Sequence, residues 1–376
     1  MNQKEYFGWG SIKNLEEIIK KENPKNIFLV TGKSSYTSSG AQEQIEKILF
    51  GMRITRFSDF SINPKLEEIQ KGIDLFKKIE YDLVIAVGGG SPIDVAKSIN
   101  LLSLNSESAK QYITGKSQIL QAGKPFVAIP TTSGSGSEAT KFAVVYINKQ
   151  KYSLASDLLL PTYSIIDPQF VMSLPAYQTA ATGMDALSQT IESYWSIHST
   201  SESKGYSKDA LKLLLENLEG AVNSPTKENK EKVAKASNLA GKAINITFTT
   251  ACHAISYPLT SHYGVSHGHA VGLTLGEMLN YIAKVSKKDC LDKRGPEYVT
   301  KSIKEILEIM QVETPEEGKN KIKTLMDKIG LKTKLSELGI NEIELIIENG
   351  FNPQRVKNNP RKITKEDLKR ILQQIM

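Results

Sequence analysis

Cysteine is scarce: Cys252 and Cys290 are the only two in 376 residues, and no CxxC spacing occurs. That excludes a disulfide framework and fits a reducing cytoplasm. No apolar run approaches the roughly 20 residues of a membrane span, so no membrane partner is expected. The first ten residues lack the apolar stretch of a secretory leader. The formal net charge is +7, but lysines are spread along the chain and alternate with acids, as in residues 301–308. No arginine-rich block with interleaved aromatics is present, so nucleic acid is not an expected partner. A small anionic substrate is compatible with the charge. Internal repeats and low-complexity tracts are absent, and at this length two domains are the natural division.

Histidine is also rare, and it is unevenly spread. Of five, His253, His262, His267 and His269 fall within seventeen residues. Neutral imidazole is the commonest nitrogen ligand of a catalytic divalent metal, so the cluster points first to a metal site. Asp185 and Gln189 are spaced to share one face of a helix, with Met184, Leu187 and Ile191 on its packing side. His253 precedes Pro258 and His267 follows Gly264, which suits two ligands on segments flanking a bend. One carboxylate and two imidazoles make a three-ligand site with an open position for a substrate oxygen. His262 reads as structural and His198 as a surface residue.

Residues 1–167 alternate short β-branched runs with helical spacing. Asn26–Thr31, Leu83–Val87 and Phe126–Ile129 read as buried strands, and residues 64–78 and 93–101 as helices between them. This alternation predicts a doubly wound α/β domain with a parallel sheet. Residues 168–376 have almost no strand signal and read as an all-helical domain. Its last helix is expected to begin at Thr364, with Asp367 closing the cap and Ile363 stapled to Leu368.

Ligands of parallel sheets bind beyond the carboxyl ends of the strands, and the glycine-rich segments lie there. Gly88-Gly89-Gly90-Ser91 follows one strand and opens a helix, where backbone N–H groups can receive a pyrophosphate. Ser91 is expected as the N-cap and Asp94 as its capping-box partner. The segment is not G-x-G-x-x-G, so the usual dinucleotide fingerprint is missing. Residues 130–138, with Thr131, Thr132 and Ser135, offer small hydroxyls to phosphate or ribose. Gly32, Lys33 and Ser34 follow the first strand. Glycine there removes the acid that would repel a 2′-phosphate, and Lys33 and Ser34 can donate to one, so NADPH is favoured over NADH.

Taken together, residues 88–97, 130–138, 151–153, 161–168, 181–192 and 253–267 resemble the iron-containing (group III) alcohol dehydrogenases, over essentially the whole chain. The resemblance implies a dehydroquinate synthase-like fold: an NAD(P)-binding α/β domain followed by a helical metal domain. It implies metal-dependent hydride transfer between NAD(P)H and a small aldehyde, and a homodimer. The implied metal ligands are Asp185, Gln189, His253 and His267. Gln189 stands where the family usually has histidine, so Fe and Zn both stay open. Lys151 joins the cofactor residues by the same resemblance. Tyr257 stands where many members have a proton-relaying histidine, and Tyr257 or His269 is expected to take that role. Within the family the chain is most similar to members that reduce phosphonoacetaldehyde to 2-hydroxyethylphosphonate, with Lys141, Lys242 and Arg361 as candidate partners of the anion. Two other activities remain open: a general alcohol dehydrogenase acting on another aldehyde or sugar-acid alcohol, and a dehydroquinate-synthase-like lyase.

Overall fold

The computed structural model describes residues 3–148, 150–351 and 353–376. The chain divides into two compact units, Met1–Leu174 and Pro175–Met376. The expected division after residue 167 falls seven residues short. Asp167 caps a short 3-10 turn, Pro168–Val171, whose Phe170 is buried in the core of the first unit.

The first unit carries strands β1 (Lys4–Phe7), β2 (Asn26–Thr31), β3 (Arg53–Phe57), β4 (Leu83–Gly88), β5 (Phe126–Pro130), β6 (Phe142–Ile147), β7 (Gln150–Ala155) and β8 (Tyr163–Ile166). Six of them form one parallel sheet in the order β1-β8-β5-β4-β2-β3, while β6 and β7 make a separate antiparallel hairpin. Its principal helices are α1 (Asn14–Glu22), α2 (Ala41–Ile48), α3 (Leu66–Phe76) and α4 (Gly90–Leu102).

The strand alternation explains the layering. Phe28, Val30, Val84 and Ala86 face α3, α4 and the hairpin, whereas Ile27, Leu29, Ile85 and Val87 face α1 and α2. Successive residues of a strand point to opposite faces, so a strand buried on both sides must be apolar throughout. Helix α4 is buried along nearly its whole length, which is why its apolar pattern extends almost all round.

The second unit is helical, with α5 (Ala176–Trp195), α6 (Ser201–Asn223), α7 (Lys227–Thr247), α8 (Ala251–Tyr263), α9 (His267–Ile282), α10 (Pro296–Met310), α11 (Pro315–Lys328) and α12 (Lys365–Gln374). Helix α5 is the central element: from Ala180 onward only Thr182 escapes burial. The expected cap of α12 is present, with Thr364 and Asp367 reciprocally bonded and Ile363 and Leu368 buried. Among the described residues, no helix is long and apolar enough to cross a membrane.

Candidate functional site

In the first unit the two glycine-rich segments close on each other. Thr131 N donates to Gly88 O at 2.9 Å. A Cβ on Gly89 would come within 3.1 Å of the Thr132 methyl, and one on Gly90 within 3.0 Å of Ser135 Oγ. Gly88 itself has φ 153°, and a Cβ there would sit 2.5 Å from the Pro92 ring. Gly88 is therefore required by the protein's own packing, whereas a side chain at Gly89 or Gly90 would press on Thr132 or Ser135.

The expected cap is corrected: Gly89 is the N-cap, Ser91 lies inside the first turn of α4, and Ser91 Oγ accepts from Asn63 N. Asp94 closes no capping box. It accepts from Ser137 Oγ (2.6 Å) and Val144 N (3.0 Å). One turn on, the buried Lys97 donates to Ser137 O and Thr140 O, both at 2.6 Å, and to Phe142 O at 2.9 Å. Burial pushes the Asp94 carboxyl up and the Lys97 amine down to about 8, while their mutual attraction opposes both shifts. Lys151, half-buried on β7, adds a cationic charge that acts on Asp94. The pair thus rivets the loop after β5 to α4, a role not read from the sequence.

At the end of β2, a Cβ on Gly32 would lie 2.1 Å from Ser35 Oγ, so an acidic side chain there would have to displace Ser35. Lys33 is exposed and paired with Asp59 at 3.6 Å. Arg56 of β3 donates from Nε to Thr31 Oγ1 (2.9 Å) and lays its guanidinium over the Tyr36 ring. It is a second cation at the loop holding Gly32, Lys33 and Ser34.

In the second unit, Asp185, His253 and His267 each bring one ligand atom to within 4.8 Å of the other two. Asp185 lies on α5, His253 in the first turn of α8, and His267 opens α9. Gly264 ends α8 in the left-handed conformation and turns the chain back, so the two imidazoles meet with ring centroids 5.4 Å apart.

A divalent metal fits this donor set. His253 Nε2 is buried, makes no hydrogen bond among the described residues, and faces Asp185 Oδ1 at 3.3 Å. Two ligands bonded at about 2.0–2.1 Å with tetrahedral angles would be separated by about that distance. Burial pulls His253 down, but Glu192 and Asp185 outweigh it and raise the imidazole to about 9. The position therefore favours a cation.

Glu192 was not read from the sequence as a site residue, although its seven-residue spacing from Asp185 puts it on the same face of α5. It is fully buried and bonded to His253 Nδ1, Thr250 Oγ1 and Cys252 N. Gln189 is buried on α5 one turn beyond Asp185. Tyr257 lies one turn beyond His253 on α8, its ring centroid 6.3 Å from that of His267.

Other expected site residues are placed differently. His269 is no proton relay: Nδ1 meets Tyr177 Oη and Nε2 meets Lys332 O, and burial lowers its pKa. Two residues on a helix turn through about 200°, which carries His269 away from His267. Arg361 is no anion ligand either. It pairs with Asp289, donates to Tyr281 O and stacks on the Tyr281 ring, so its donors tie down the chain near the C-terminus. Lys141 belongs to the first unit and pairs with Asp157 at 2.8 Å. Lys242 is half-buried on α7, on a polar stripe with Asn238 and Asn245. His198 and His262 are exposed.

With this fold and this donor set in view, the comparisons with known proteins agree. Residues 2–168 match the family model of iron-containing alcohol dehydrogenase, and residues 179–376 match the C-terminal model of the Fe-containing alcohol dehydrogenase family. The chain belongs to the iron-containing alcohol dehydrogenase family and is an oxidoreductase. Phosphonoacetaldehyde reductase of Streptomyces viridochromogenes is 32% identical over 79% of this chain and 76% of that protein. Long-chain-alcohol dehydrogenase 1 of Geobacillus thermodenitrificans is 32% identical over 76% of this chain and 74% of its own length. The crystal structure of sulfoacetaldehyde reductase from Bifidobacterium kashiwanohense, in complex with NAD+, has a TM-score of 0.87 at 31% identity and covers 99% of this chain and 96% of that one.

Proposed function

We propose that the protein reduces a two-carbon aldehyde bearing a phosphonate, phosphonoacetaldehyde in the first instance, with NADPH as the favoured cofactor. The observation that carries the dehydrogenase reading is the cluster of the buried Asp185 and His253 with the half-buried His267 in a chain of this family. The anionic substrate is supported by two relatives whose names specify two-carbon aldehydes with a phosphonate or a sulfonate. Lys242 is the remaining candidate cation of the metal-bearing unit, on a helix packed against α5.

Asp185, His253 and His267 would hold the metal, with Gln189 Oε1 as a further oxygen donor. When bound, a divalent metal supplies a Lewis acid to the aldehyde oxygen, and reduced nicotinamide supplies the hydride. Residues of the turn after β4 and of the loop after β5 would hold the cofactor phosphates and ribose. Tyr257, whose ring centroid lies 6.3 Å from that of His267, would hand its hydroxyl proton to the product oxygen and be reprotonated from solvent. The ammonium of Lys242 orients the phosphonate by a charge-assisted hydrogen bond.

The decisive experiment measures NADPH oxidation with phosphonoacetaldehyde, sulfoacetaldehyde and propanal on metal-loaded protein. The phosphonate should win in kcat/KM, and Lys242→Ala should raise its KM roughly tenfold to a hundredfold while leaving propanal unchanged. Equal turnover of all three would return the protein to a general alcohol dehydrogenase. For the cofactor, Arg56→Ala should raise the KM for NADPH about tenfold or more and leave that for NADH unchanged. A parallel change in both would remove Arg56 from any part in selecting the 2′-phosphate.

A further inference from the structure

Both metal-facing histidines are held by their Nδ1 atoms, and the partners differ in kind. Ser256 Oγ lies 3.2 Å from His267 Nδ1 and donates its own proton to His253 O at 2.7 Å. Its one proton being committed, Ser256 accepts from His267 Nδ1–H, which leaves Nε2 as that ring's lone-pair nitrogen. His253 Nδ1 meets instead the carboxylate of Glu192, so its Nε2 is the atom that faces Asp185.

The Glu192 carboxylate is itself held rigidly. Its Oε1 accepts from Thr250 Oγ1 (2.6 Å), Cys252 N (2.9 Å) and His253 N (3.4 Å). Thr250 is in turn held by Trp195 Nε1 at 3.0 Å. Cys252 and His253 are in the first turn of α8, where backbone N–H groups have no helical partner and the helix dipole favours an anion. The chain reaches that turn through Phe248, a non-glycine residue at φ 60°, ψ 169°, a backbone region almost confined to glycine. Asn358 Nδ2 holds Thr249 O and Ser196 Oγ holds Thr247 O on either side of it. The turn is thus locked so that one oxygen of Glu192 caps the helix and the other fixes the imidazole.

We infer that Glu192 is a positioning residue for metal binding: it sets the tautomer and ring orientation of His253 and makes Nε2 a stronger donor to the metal. The inference rests on the metal reading above. A carboxylate behind a ligating imidazole fixes the ring and raises its basicity, and losing such a partner costs about 10- to 100-fold in metal affinity. Glu192→Gln preserves the volume but exchanges the anionic acceptor for a neutral amide whose N–H₂ can reverse the hydrogen bond.

The test uses the full chain and Co(II) as the probe, with affinity measured by competition against a chelator. Glu192→Gln should weaken Co(II) binding about 10- to 100-fold and shift the visible d–d absorption of the Co(II) form, while the metal-free proteins melt alike. Equal affinity and an unchanged spectrum in wild type and variant would overturn the inference. If the variant does not fold, Thr250→Val decides. It removes one of the three donors to Glu192 Oε1 but leaves the two backbone donors and the Glu192–His253 bond, and should cause a smaller loss of affinity in the same direction. Wild-type affinity in Thr250→Val would then overturn the inference. Failure of the wild-type protein to bind Co(II) would instead sink the metal reading itself.

Discussion

Replacing His267 by alanine should strip the protein of its metal and lower kcat/KM for aldehyde reduction by more than about a hundredfold, the upper range for losing a mere supporting partner. His267 is one of three side chains whose ligand atoms converge, and no other histidine can move in. His269 is tied at both ring nitrogens and His262 is exposed. The neutral oxygen of Gln189 is a poorer ligand than imidazole for iron or zinc. Cofactor binding should survive, because the glycine turn and the loop riveted to it by Asp94 and Lys97 belong to the other unit. Metal content by elemental analysis and NADPH binding by fluorescence check the two halves separately. Stoichiometric metal with near-normal activity in the variant would refute the assignment of His267.

Gly268→Ala should be nearly as damaging, although it removes no chemical group. Helices α9 and α5 approach so closely at this glycine that an added Cβ would lie 1.9 Å from Ala181 O, 2.7 Å from Asp185 Cβ and 2.9 Å from Asp185 N. Two of these are backbone atoms, which cannot rotate aside, so the helices must separate. Overpacking of this kind costs about 1–3 kcal/mol, which for a unit of this size lowers Tm by roughly 2–12 °C. The same separation drags Asp185 from His267, so metal affinity should fall as well. Gly205→Ala on α6 is the matched control. A Cβ there meets nothing within 4 Å, and the exchange should be neutral or stabilise by up to about 1 kcal/mol. Equal melting temperatures for the two variants would show that the close approach at Gly268 carries no constraint.

Where burial imposes a period, the sequence was readable. Strand β2 falls on the run from Asn26 to Thr31, because a strand covered on both faces leaves no polar position inside it. Helix α5 and the cap of α12 were legible for similar local reasons. Strand β7 was not: Gln150–Ala155 is mostly polar, carries no clean alternation, and is a strand because β6 pairs with it. The same limit governs the site. Asp185, His253 and His267 announced themselves by residue type and spacing. The fate of Arg361 depended on Asp289 and Tyr281, distant residues that no local pattern connects to it. His269 and Glu192 are different, since helical geometry alone separates the first from His267 and puts the second beside Asp185.

The riveting of the loop after β5 to α4 has a consequence for how cofactor affinity is assembled. A flexible phosphate loop loses conformational entropy each time a nucleotide binds, and that loss is subtracted from every association. Here the ordering is completed when the chain folds, because Lys97 and Asp94 already span residues 137–144. A nucleotide held there, as proposed, would meet a surface whose shape does not wait for it. On that reading, cofactor exchange would proceed without rebuilding residues 137–144.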